Sequence, residues 1–152
     1  MSTSHRKLHF DQLEEAVAEV ERLAISPIQT TGNFTFPQIV EHLATAFDIS
    51  SGHQTPPPIP LLLRIVGPLL AKRAAYKPMK PGLKLPKKAQ TFFWRDEKGI
   101  EQSLSQFREA FQRYRDTAPL PRHPIFGNMT RKDNEQLQCR HMELHLGFVH
   151  PA

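Results

Sequence analysis

Apolar positions along the chain fall into four runs with helical spacing, two of them in strictly alternating steps of three and four. Phe10, Leu13, Val17, Val20 and Ala24 make the first. That spacing places one apolar stripe along an α-helix. It predicts a first helix over about 11–23, with Asp11 and Glu14 at capping-box distance. Phe36, Ile39, Val40, Leu43 and Phe47 make the second run, over about 36–49. Thr35 is its N-cap, Pro37 sits in the first turn and Gln38 completes a capping box. Ile100, Leu104, Phe107, Phe111 and Tyr114 give a third helix over about 99–117, ended by Pro119 and Pro121. Residues 130–150 read as the last helix, capped by Thr130 with Asp133 at capping-box distance. On it Leu137, Leu144 and Phe148 share a stripe with His141 at its centre, while Gln136, Arg140 and Glu143 fall on the opposite side.

Between the second and third helices lies a very apolar segment, residues 60–76, which Gly67-Pro68 splits into two helical pieces. It is expected to be a lid over the bundle or a partner-facing patch. Residues 24–33 and 50–60 are Pro-, Gly- and Ser-bearing loops, and residues 77–93 read as a loop punctuated by Pro78, Pro81, Gly82 and Pro86. No segment sustains period-two alternation, so no strand is expected. The pattern predicts one all-α domain over residues 1–152, a four-helix bundle with a short apolar helical insert.

Composition narrows the class. A chain of 152 residues, 39% apolar and 23% charged, suits one soluble globular domain. The longest apolar run, residues 59–71, is interrupted by Pro60, Arg64 and Pro68 and is too short to span a bilayer. The first ten residues lack the apolar core of a signal peptide, so a cytoplasmic location is expected. The single cysteine, Cys139, excludes an internal disulfide and a Cys-rich zinc site. It falls away from the histidine face and reads as a packing or surface residue.

Net charge is +5, and much of the excess is concentrated in residues 72–88. Lys77, Lys80, Lys84, Lys87 and Lys88 are candidates to hold an anionic group; the plain alternative is a solvated basic loop. Phe92, Phe93 and Trp94 are clustered and not interleaved with bases, which argues against a nucleic-acid platform.

The candidate chemistry lies on helix four. His141 and His145 are one helical turn apart, so both imidazoles can reach one metal ion. Eight histidines in 152 residues give roughly 0.4 such pairs by chance, so a third ligand is needed. His42 lies on the edge of the helix-two stripe, beside Ile39 and Ala46, and is the natural third ligand. The other pair, His5 and His9, sits at a polar N-terminus expected to fray, and His53 is expected in solvent. Gln138, on the histidine side of helix four, could orient a ligand of the metal or be a polar core-edge residue. His123 could act beside the metal or as a general base, or could brace its Pro-flanked loop.

The order of motifs resembles a domain-of-unknown-function branch of the DinB/YfiT-like superfamily. These are Thr30-Thr31-Gly32-Asn33-Phe34-Thr35, His42, Gly67-Pro68-Leu69-Leu70, Gly82-Leu83-Lys84-Leu85-Pro86, His123-Pro124-Ile125-Phe126-Gly127, and His141 through His145-Leu146 to Phe148. Asn134 and Phe34 stand where that pattern has tryptophan. The resemblance implies a four-helix bundle whose His42, His141 and His145 bind a divalent metal. It implies a thiol-dependent S-transferase or a hydrolase with a small-molecule substrate. Zinc, nickel, iron and manganese are all compatible with imidazole. The rival expectations are a non-catalytic bundle that dimerises or binds a partner through residues 61–70, and nucleic-acid binding with steep salt dependence.

Overall fold

The structure is a computed structural model and describes residues 4–81 and 99–152. The described residues are mostly helical, with one two-stranded sheet. In order they are α1 (Leu13–Ala24), β1 (Ile28–Thr30), α2 (Phe36–Ser50), α3 (Leu61–Val66), a 3-10 turn (Gly67–Leu70), α4 (Ala71–Tyr76), α5 (Ile100–Asp116), α6 (Arg131–Leu146) and β2 (Val149–Pro151). Lys84, Lys87, Lys88, the 82–86 motif and the aromatics at 92–94 lie outside the described residues.

α2 begins as its sequence requires. Thr35 accepts from the Gln38 N–H, and the Gln38 side chain accepts from the Thr35 N–H. α2 packs most extensively on α5. Phe47 is fully buried there against Phe107, Phe111 and Tyr114, with ring centroids 5.1–5.7 Å away. A two-armed ion pair at 2.9 Å, Arg113 to Asp48, joins the same two helices. Arg108 makes the matching pair with Glu21 of α1 at 2.7 Å. Leu13, Ala16, Val20 and Leu23 put the buried face of α1 into this core.

Three expectations need correcting. The capping box of α1 does not form: the N-cap is Gln12, with no side-chain cap bond. Asp11 instead accepts from His9 Nε2–H at 2.9 Å. There is a sheet, with β1 and β2 antiparallel and Gln29 opposite His150. Three residues per strand are too few to show alternation. Finally, the N-terminal arm is not frayed over residues 5–10. The Arg6 N–H donates to the Gly147 carbonyl at 2.7 Å, and the Phe10 N–H to the Glu143 carboxylate at 2.7 Å. Glu143 is itself paired with Arg140 at 2.8 Å, and Arg140 also donates to the Phe10 carbonyl. The polar side of α6 is thus a second buried face, covered by the arm.

The insert is split at Gly67-Pro68 as expected, and α4 is pinned to α6. Lys72 Nζ and the Tyr76 hydroxyl both donate to the Asp133 carboxylate at 2.6 Å. Those two donors hold the Asp133 carboxyl below its ordinary range, against a small opposing effect of burial. Thr130 caps α6 through the Asp133 N–H at 3.0 Å. The reciprocal arm of that capping box is absent because Asp133 is engaged with α4.

Candidate metal centre

Two helices build the site. α2 carries His42 on its buried face, and α6 carries His141 and His145 one turn apart. His42 Nε2 and His145 Nε2 each stand 3.0 Å from His141 Nε2. The three ligand atoms all lie within 4.8 Å of one another. Among the described residues this is the one group of three or more metal-binding side chains.

The convergence is informative because of what imidazole can do. A neutral ring nitrogen carries one proton or one in-plane lone pair. His141 Nε2 can therefore form one good hydrogen bond, yet two nitrogens approach it. Nitrogens sharing an ion at ~2.1 Å stand about 3–3.4 Å apart, which matches the two short distances. Burial pushes the His141 pKa down to about 4, with repulsion from His123 adding to it. Burial also holds His145 well below its ordinary value, helped by its histidine neighbours. Both rings are neutral at pH 7, which is the form that ligates a metal. Three imidazole nitrogen donors, with no carboxylate among the described lining residues, fit a divalent ion and leave room for further ligands.

The site opens into a cavity of about 990 Å³. Ile39, Phe34, Phe126 and Phe148 supply much of its apolar wall. Its lining among the described residues contains no carboxylate and no cysteine. Cys139 is buried elsewhere in the core, where burial pushes its thiol up to about 12.

The other expected residues divide. Gln138 lines the cavity and is 3% exposed. Its amide nitrogen donates to Ser50 Oγ at 2.8 Å and to Asn134 Oδ1 at 3.3 Å, so its carbonyl oxygen is the atom left to face the cavity. Asn134 Oδ1 also accepts from the buried Tyr114 hydroxyl at 2.7 Å. His123 lines the cavity and also braces its loop. Its Nδ1 accepts from the Ile125 and Phe126 N–H groups, both at 3.1 Å, which fixes the proton of the neutral ring on Nε2. Burial lowers its pKa to about 4. Lys80 reaches the cavity lining, whereas Lys77 does not. His53 is exposed and bonded to Ser51.

Sequence reasoning missed His5. Its Nε2–H donates to the Leu144 carbonyl at 2.7 Å. Its ring stands on Phe148 at 4.7 Å and lines the same cavity. Gly147 makes this possible, since a Cβ there would overlap the His5 ring. No local pattern announces such a contact, which joins residues at opposite ends of the chain.

A family model covers nearly the whole chain, residues 2–152. The chain belongs to the family described as "Protein of unknown function (DUF1569)". No curated protein and no solved structure matches it. The geometry of this DUF1569 chain therefore carries the functional reading.

Proposed function

We propose that this chain is a divalent-metal-dependent enzyme whose ion is held by His42, His141 and His145. The observation that carries this reading is the approach of three imidazole Nε2 atoms at a cavity large enough for a small molecule. The fold is proposed to be a four-helix bundle of DinB/YfiT-like type, made of α1, α2, α5 and α6. The contacts of α2 with α5 and α6, and of α1 with α6, favour it.

A divalent ion at this centre supplies a Lewis acid and lowers the pKa of a bound water or thiol. The chain's own groups do the rest. The apolar wall around Phe34 and Phe148 binds the body of the substrate and excludes water. Gln138 offers a fixed acceptor and His123 Nε2–H a fixed donor, so the two orient groups of opposite hydrogen-bonding character. Lys80 meets an anionic group at the cavity edge. The lack of a cysteine or carboxylate among the described lining residues favours a nucleophile from outside the protein. Thiol transfer from a low-molecular-weight thiol, or hydrolysis by water, satisfies that condition.

The test is consumption of a low-molecular-weight thiol with an electrophile, and hydrolysis of thiol adducts, by protein loaded with zinc, nickel, iron(II) or manganese. Turnover that disappears in His42→Ala is expected. Bound metal without turnover across the whole screen would overturn the enzymatic part of the reading.

A further inference from the structure

The insert between α2 and α5 is not used by the metal centre. None of residues 61–76 lines the histidine cavity, so the segment is not its lid. α3 has no buried residue. Leu62, Ile65 and Leu69 are 71%, 62% and 83% exposed. Of the exposed large apolar side chains among the described residues, all but Ile25 lie between Leu61 and Tyr76. Scattered surface leucines are ordinary, but their concentration on one element marks a contact surface.

The segment is held in place from its other side. Ala75 is fully buried, Lys72 and Tyr76 bond Asp133, and Gly67 lies so close to the Ile125 carbonyl that a Cβ would overlap it. The apolar side chains of α3 and the 3-10 turn therefore face outward from an anchored platform.

Charge selects the occupant. Between Asp48 and Asp96 the sequence contains no acidic residue. Arg64 and Arg73 are exposed on the insert, and Lys77 follows it, also exposed. A second copy docking through this face would set the same patch against itself and bring like charges together. A nucleic acid would meet the bases but leave the leucines in water. An anionic bilayer meets both, with lipid phosphates and carboxylates for the bases and the acyl boundary for the leucines. We propose that residues 61–77 are a peripheral docking surface for an anionic lipid bilayer. The segment lies in the headgroup region and does not cross it; no helix among the described residues is long and apolar enough to do so. This inference is independent of the metal centre.

The experiment is co-sedimentation of the full chain with vesicles of phosphatidylcholine, and of phosphatidylcholine mixed with phosphatidylserine. Wild type is expected to sediment with the mixed vesicles only, and to be released by salt. Leu62→Ser with Leu69→Ser, at exposed positions outside the core, is expected to weaken binding about tenfold or more. Arg64→Gln with Arg73→Gln is expected to weaken it by about 25-fold, about fivefold per base. Thermal melts establish that both variants remain folded. Equal binding to the two vesicle types, or binding to neither, would overturn the proposal. So would a dimer abolished by the leucine changes, or salt-sensitive nucleic-acid binding that survives them, in a chain that ignores vesicles.

Discussion

His141 is the hinge of the site, because its Nε2 is the atom both other imidazoles approach. Its burial has a measurable consequence. In the folded chain the pKa values of His141 and His123 are pushed down from 6.5 to about 4. The unfolded chain takes up those protons near the ordinary value. Between the two values the unfolded state binds more protons, so stability is full above about 6.5 and falls as pH drops toward about 4. Urea midpoints with a chelator present should be lower at about pH 5 than at about pH 7.5. A flat or rising midpoint on acidification would contradict the burial of these rings. Beside them, Tyr114→Phe removes the hydroxyl that donates to Asn134 Oδ1 at 2.7 Å. A loss of roughly 1–2 kcal/mol in unfolding free energy is expected, with metal content unchanged. Unaltered stability would mean that this buried bond does not hold Gln138 in place. The three-histidine cluster was legible in sequence because helical spacing sets His145 one turn from His141 and His42 lies on the edge of the α2 stripe. Gln138 and His123 were legible as candidates only. What fixes them, Ser50, Asn134 and the loop N–H groups, comes from contacts that no local spacing records.

At the scale of elements, legibility followed the strength of local signals. α2 and α5 lie within a residue of the predicted bounds, since capping chemistry and a 3.6-residue period agree there. α1 lost its predicted cap because Asp11 turned to His9. On α6 the pattern set Arg140 and Glu143 opposite the histidine stripe without saying what covers them, and the N-terminal arm buries them. A buried ion pair satisfied by backbone groups has the same composition as an exposed one, so periodicity cannot tell them apart. The split of the insert at Gly67-Pro68 was legible, but the reason for Gly67 was not. It is a close approach to the Ile125 carbonyl, not a bend. Gly67→Ala should therefore destabilise the fold by about 1–3 kcal/mol through overpacking, read as a lowered urea midpoint. A neutral effect would mean that the insert does not rest on the His123–Gly127 loop.

At the scale of the molecule, the two ends of the chain meet. The N-terminal arm runs along α6, and β2 pairs back to β1 between the first two long helices. This closure places His5 and Phe148 in the cavity wall. The fold also presents two separate surfaces: a cavity around the histidines with no carboxylate among its described lining residues, and an outward apolar and basic insert. The central claim concerns the first of these. Metal content should be measured by inductively coupled plasma mass spectrometry on protein purified without a nickel column, for wild type and His141→Ala. About one ion per chain in wild type, absent from the variant, is the expected result. No ion in wild type, and none retained after addition of zinc, nickel, iron(II) or manganese, would contradict it.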